Sequence, residues 1–144
     1  MAWLLVLHLC AAGAWIGCVL TEVAFERLLA ADGAARRPLL ANLHARVDVL
    51  VETPAMLIVA ATGASLLART SATPMLLAKI ICGLLALAAN VWCVAVVMAR
   101  RRAAAASDGQ RYEALDRLQH RLGALVVLGL AGALAIGLGL AAGG

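Results

Sequence analysis

The chain has 144 residues, 65% hydrophobic and 14% charged, with a net charge of +4. A mean hydropathy of +0.97 is far too high for a soluble domain of this size and places the chain among integral membrane proteins. Its basic residues fall in two clusters that act as a topology signal, so nucleic acid is not an expected partner.

Four apolar windows are each long enough to cross a hydrocarbon layer of about 30 Å, which takes roughly 20 residues. They run Trp3–Leu28, Val47–Leu67, Met75–Ala99 and Leu118–Ala142. The N-terminus lacks a basic segment and its apolar stretch is too long for a cleaved leader, so the first span is expected to stay. At about 100° per residue, His8, Trp15, Glu22 and Glu26 form one stripe on this span. Asp32-Gly33 reads as a turn after it, in a loop that carries Arg27, Arg36, Arg37 and Arg46.

His44, Asp48 and Glu52 open the second span in steps of four. Pro54 follows them and removes a backbone hydrogen bond, which predicts a kink beside Glu52; tolerated prolines are also ordinary in membrane helices. The stretch Arg69–Thr73 breaks the pattern, and Pro74 suits a helix start. On the third span Lys79 and Asn90 share nearly one face. Arg100, Arg101 and Arg102 end it, and Ala103–Gly109 is a linker or a helical extension. Asp116 and His120 open the fourth span, whose Gly123, Gly129, Gly132, Gly137 and Gly139 suit close helix packing, with oligomer contacts as the alternative. Cys10, Cys18, Cys82 and Cys93 all lie within spans and form no CxxC pair. They read as small apolar packing residues, or else as a thiolate ligand or redox pair.

The expected fold is therefore a single all-α domain over residues 1–144, an up-down bundle of four transmembrane helices. Loops of roughly 10–20 residues are expected between spans, with a shorter one between the second and third. The two basic loops should face the cytoplasm, leaving both termini outside, in a bacterial-type inner membrane. The bilayer is the first partner, and a homo-oligomer or a larger membrane complex is a further one.

Ionisable groups within spans cost a few kcal/mol or more, about 2.5–3.5 for an Asp at a span centre, so they are functional candidates. Here they fall at two levels of one seam. His8 and Lys79 lie toward the outer surface. Glu22, Glu52, Asn90 and His120 lie toward the cytoplasm, with Glu26, His44, Asp48 and Asp116 closer to it still. Carboxylates and imidazoles at helical spacing on facing helices can chelate one or two divalent ions. Glu22, Glu52, His120, His44 and Asp48 are the expected ligands, with Glu26, Asn90 and Asp116 as supporting or relay groups. The Glu-x-x-His pairs of ferritin-like di-iron bundles are missing. The bland alternatives are interfacial pairing of Glu26, Asp48 and Asp116 with Arg27, Arg46, Arg117 or Arg121, and a Lys79 that reaches out to the surface.

Taken together, Leu7-His8 and Trp15-Ile16-Gly17, Pro54-Ala55-Met56 before Gly63, Lys79, and Arg100-Arg101-Arg102 give a pattern that resembles the HemJ-type protoporphyrinogen oxidases and, more loosely, the CopD-like membrane proteins. The resemblance covers nearly the whole chain. It implies a b-type haem in the bundle, with His8 as axial ligand and Lys79 as a ligand or propionate partner. The chain departs from that pattern where Glu22 replaces a basic residue, where Asn90 replaces a histidine, and where Asp48 and Glu52 precede the proline. An acidic seam suits cations better than an anionic porphyrin substrate.

Three functions follow as expectations. The first is a membrane redox protein, an oxidoreductase or its relative, holding haem b or iron. The second is a non-catalytic protein that binds or transports copper or another divalent metal ion; the scattered methionines weigh against copper(I). The third is an assembly or structural subunit of a larger complex.

Overall fold

A computed structural model describes residues 2–30 and 33–142. Helix α1 spans Ala2–Ala30, and a short 3₁₀ turn at Ala34–Arg36 leads into α2, Arg37–Val47. A π-turn over Asp48–Glu52 joins α2 to α3, Thr53–Leu67, within one long rod. Helices α4, Pro74–Ala105, and α5, Gly109–Ala142, complete the chain. No strand occurs among the described residues. The four rods α1, α2–α3, α4 and α5 are each long and apolar enough to cross a membrane.

Local chemistry fixes where the rods begin and end. Thr73 accepts a hydrogen bond from the Leu76 amide at 3.2 Å, with Pro74 in the first turn, an N-cap that satisfies one free donor of α4. Pro38 occupies the equivalent first turn of α2. At the end of α4, the amides of Ser107 and Asp108 donate back to the Ala104 and Ala103 carbonyls, at 3.2 and 3.0 Å. This paired closure needs a left-handed residue, and Ser107 supplies it at φ 57°. Asp108 then caps α5 through a 3.0 Å bond from the Arg111 amide to its carboxylate. In the turn expected at Asp32-Gly33, Asp32 lies outside the described residues; Gly33 has φ 78°.

The connections are shorter than the expected loops. Ala103–Ala105 continue α4, and only Ala106–Asp108 separate it from α5. The run of alanines, the best helix former, extends the rod past its apolar core. Arg46, Arg100, Arg101, Arg102, Arg111 and Arg117 thus stand on helices.

The disturbance at Pro54 takes the form of the π-turn just before it. The Thr53 amide bonds to the Asp48 carbonyl, five residues back, and Pro54 has no amide to offer. The wider turn accommodates a ring that would clash with the preceding carbonyls in an α-helix. Asp48 and Glu52, both buried, bound this turn.

The rods alternate in direction. His8 near the start of α1 meets Thr62 near the end of α3, and Lys79 near the start of α4 lies beside Gly137 near the end of α5. At the other end, Glu26, His44, Arg100 and Gln119 converge. Between them lies an apolar core of Trp15, Val19, Ala55, Met56, Ala86, Ala89, Val126 and Leu130. Helices α4 and α5 make the tightest pair. A Cβ on Gly129 would come within 2.8 Å of the Cys82 carbonyl oxygen and 2.9 Å of the Ala86 Cβ. Gly132, Gly137 and Gly139 likewise face Cys82, Lys79 and Met75. Gly129, Gly132, Gly137 and Gly139 thus serve packing within the chain, whereas Gly123 faces open space. The outside is apolar, with Trp92 and Leu128 62% and 69% exposed.

Candidate functional site

Four carboxylates, Glu22, Glu26, Asp48 and Glu52, are buried in one end of the bundle, together with His44, Arg100 and Gln119. Helix α1 contributes Glu22 and Glu26, one turn apart. Helix α2 contributes His44, and the π-turn contributes Asp48 and Glu52.

His44 is the hub. Its Nδ1 lies 2.9 Å from Glu26 Oε1, and its Nε2 lies 3.2 Å from Glu22 Oε2 and 3.7 Å from Asp48 Oδ1. A carboxylate only accepts, so Nδ1 donates its proton to Glu26. Nε2 either donates to Glu22, making His44 an imidazolium bridge, or is free of its proton and can ligate a cation beside Glu22 and Asp48. Phe25 packs edge-on against the ring at 5.6 Å. Gln119 lies across it, its Nε2 within 3.0 and 3.1 Å of the two ring nitrogens, and donates to Glu26 Oε1 at 3.4 Å.

Arg100 fixes Glu26 from the far side. It is fully buried, and its Nη2 donates to Glu26 Oε1 at 2.6 Å while its Nη1 donates to Asp116 Oδ1 at 2.5 Å. Its guanidinium also stacks over Tyr112 at 5.3 Å, a cation–π contact. Deeper in the bundle, Trp15 donates from Nε1 to Glu52 Oε1 at 3.0 Å. Two carboxylate oxygens, on Glu22 (Oε1) and Asp48 (Oδ2), are buried with no hydrogen-bond partner. Buried acceptors without partners are costly, and four buried carboxylates face one guanidinium and one imidazole. At least two negative charges remain to be met by protons or by a cation.

Among the described residues, three groups could hold a metal ion: Glu22, His44 and Asp48; Cys18, Glu22 and Glu52; and Glu26, Asp116 and His120. The ligand atoms of each group lie within 4.8 Å of one another. The first two groups are wholly buried, whereas the side chain of His120 is 60% exposed. His120 sits 3.6 Å from Glu26 Oε2 and accompanies Asp116, not Glu22 or Glu52. This third group lines a cleft of about 350 Å³ that also involves Arg37, Tyr112 and Glu113.

The structure thus brings together Glu22, Glu26, His44, Asp48 and Glu52, joined through Glu26 to Asp116 and His120. Asn90 is also buried, and its amide donates to the Met56 sulfur at 3.4 Å. His8 and Lys79 lie at the opposite end. His8 Nδ1 is 2.8 Å from Thr62 Oγ1, whose hydroxyl donates to the Ile58 carbonyl, so His8 donates and keeps Nε2 free of that bond. A Cβ on Gly63 would come within 3.3 Å of the His8 ring.

Arg100 and Gln119 complete the cluster although neither was expected at a site, and Cys18, expected as a packing residue or else a thiolate ligand, lies with Glu22 and Glu52. A signal for Arg100 and Gln119 exists. Ala86, Asn90, Val97 and Arg100 recur at steps of three, four and seven, as do Gln119, Leu122, Val126 and Leu130, and all eight are buried. The periodicity of the buried face selects Arg100 from its two arginine neighbours.

Fold and site together define a class, a four-helix bundle of membrane-spanning dimensions with a carboxylate–histidine cluster in its interior. No family model, curated protein or solved structure matches the chain.

Proposed function

We propose that the protein binds a divalent first-row transition-metal ion inside a membrane-embedded bundle and handles it as a binding or transport protein. The observation that carries this reading is the setting of His44. Its Nε2 faces Glu22 and Asp48 at 3.2 and 3.7 Å, while its Nδ1 bonds to Glu26, which Arg100 fixes. Metal-ligating histidines commonly donate their second N–H to a carboxylate in this way, which sets the tautomer and ring orientation. Donors about 2.0–2.2 Å from a metal sit roughly 3–3.5 Å from one another, close to the spacing seen here. One imidazole with two carboxylates suits manganese, iron or zinc.

Every arginine but Arg69 lies toward the cluster end of the rods, with Lys79 at the other end, which supports placing the cluster end on the cytoplasmic side of a bacterial-type inner membrane. The cleft at Glu26, Asp116 and His120 would then give the ion its way in from the cytoplasm. The test uses full-length protein in detergent, stripped with chelator and titrated with manganese or zinc. Wild type should take up metal, and Glu22→Gln and His44→Asn should each weaken binding at least tenfold. Glu113→Gln, which removes an exposed partner of Arg37, should not. Folded wild-type protein that takes up no metal would overturn the reading.

A second reading rests on His8. An Nδ1–H held by Thr62 beside a small Gly63 leaves Nε2 for an axial bond to haem iron, and the haem would supply one-electron chemistry. Lys79 would pair with its carboxylates. A haem absorption band that His8→Ala abolishes supports this reading, and a colourless preparation from haem-supplemented cells removes it.

A further inference from the structure

We propose that the bundle holds a second metal ion beside the first, on Cys18, Glu22 and Glu52, with Glu22 bridging the two. This rests on the metal-binding reading above and extends it from one ion to a two-metal centre that includes a thiolate.

The buried donors form two overlapping triads that share one residue. Glu22, His44 and Asp48 make one, and Cys18, Glu22 and Glu52 make the other. No group among the described residues contains both Cys18 and His44, so a single ion does not account for all five donors. The two triads nevertheless adjoin, because the Asp48 carboxylate lies against those of Glu22 and Glu52.

Glu22 has the form of a bridge. One oxygen, Oε2, is 3.2 Å from His44 Nε2. The other, Oε1, is buried and has no partner, on a residue only 6% exposed. A structural carboxylate at this depth would have both oxygens engaged. A carboxylate that spans two ions places one oxygen on each, and paired ions in such centres stand about 3.5–4 Å apart.

The rest of the second triad is fixed in place. Cys18 precedes Glu22 by one helical turn, so both point from the same face of α1. Trp15, a further turn back, is 1% exposed and donates to Glu52 Oε1, the kind of outer contact that orients a metal-binding carboxylate. Charge within the two triads also balances. Outside them Arg100 answers Glu26, and its second partner, Asp116, has a side chain 32% exposed, so solvent shares its charge. That leaves Glu22, Asp48, Glu52 and a Cys18 thiolate, four negative charges for two divalent ions. The thiol proton leaves as the sulfur–metal bond forms. A thiolate in the set selects zinc, cobalt or cadmium over magnesium and calcium.

Cobalt(II) loading of the full chain in detergent tests this, because cobalt reports thiolate ligation by a sulfur-to-metal charge-transfer band. Wild type should bind two cobalt ions per chain and show the band. Cys18→Ser should bind one and lose the band, with Cys18→Ala as the second variant if serine disturbs folding, and Cys93→Ser should behave as wild type. One ion and no band in wild type would overturn the second position and leave the first intact. Two ions without the band, or a band that survives in both Cys18 variants, would overturn the role of Cys18. No bound cobalt at all would overturn the metal-binding reading itself.

Discussion

Arg100 buries its whole side chain between Glu26 and Asp116 and against the face of Tyr112. Removing one partner of a buried ion pair typically costs about 3–5 kcal/mol, because the other charge stays buried and unmet. Arg100→Met should therefore destabilise the bundle by about that amount in denaturant unfolding followed by tryptophan fluorescence. Adding Glu26→Gln should recover part of the loss, since the stranded carboxylate is then gone. Arg101→Met, on an exposed neighbour, should change little. Equal losses at Arg100 and Arg101 would show that the buried pair contributes no specific stability. The three arginines look alike in sequence, and as a group they read as a topology signal. Their separate fates depend on which helical face meets a neighbour. The residues at Ala86, Asn90 and Val97 mark that face, but an arginine on it makes sense only once Glu26 and Asp116 are known to lie opposite. The carboxylates and His44 were legible for the opposite reason, since charges in apolar spans stand out one by one. Their partnership with Arg100 and Gln119 was not, because it is a property of four helices at once.

The same division holds for the elements. Four spans followed from hydropathy, and Pro74 marked the start of one of them. The π-turn at Asp48–Glu52 did not follow, because a proline announces a disturbance without saying how the backbone absorbs it. The alanine-rich extension of α4 was open in the sequence as one of two readings, with the alanines favouring helix, whereas the helical starts at Arg37 and Gly109 were not legible, because hydropathy measures only the apolar part of a rod. Two element-level outcomes test the packing and the caps. Gly129 lets α5 approach the Cys82 carbonyl, so Gly129→Val must push the two helices apart. Overpacking of that kind costs about 1–3 kcal/mol, and the unfolding midpoint should fall accordingly, whereas Gly123→Ala, inside α5 with no atom near its Cβ position, should leave stability unchanged or raise it by up to about 1 kcal/mol. Ser107 holds a left-handed conformation at φ 57° to close α4, which costs an L-residue about 1–2 kcal/mol. Ser107→Gly removes that strain and should raise stability by about 0.5–1 kcal/mol, the usual gain being reduced by the added freedom of the unfolded chain. A fall on Ser107→Gly would mean that the Ser107 side chain makes a contribution larger than the strain.

At the scale of the molecule, a cluster of charged groups lies inside while large apolar side chains such as Leu128 and Trp92 face outward. Placed in a membrane, a bundle built this way would gain little from expelling water between its helices, since lipid is as apolar as leucine. Its interior charges therefore weigh heavily in its stability. Four buried carboxylates against Arg100 and His44 leave a deficit that either protons or a cation must fill, and the two compete for the same oxygens. A metal that binds only the folded state adds about 2.7 kcal/mol at a free concentration one hundred times its Kd. Ligands must shed their protons to bind, so that contribution shrinks as the solution is acidified. Thermal unfolding in detergent, with and without saturating zinc or manganese, should show a clear upward shift at neutral pH. The shift should decline steadily toward acid and be small at every pH in His44→Asn, which lacks the hub ligand. If metal left the midpoint of the folded wild type unchanged across the whole range, the deficit would be met by protons alone, and the cluster would be a proton-holding network with Glu22 and Asp48 as its exchanging groups.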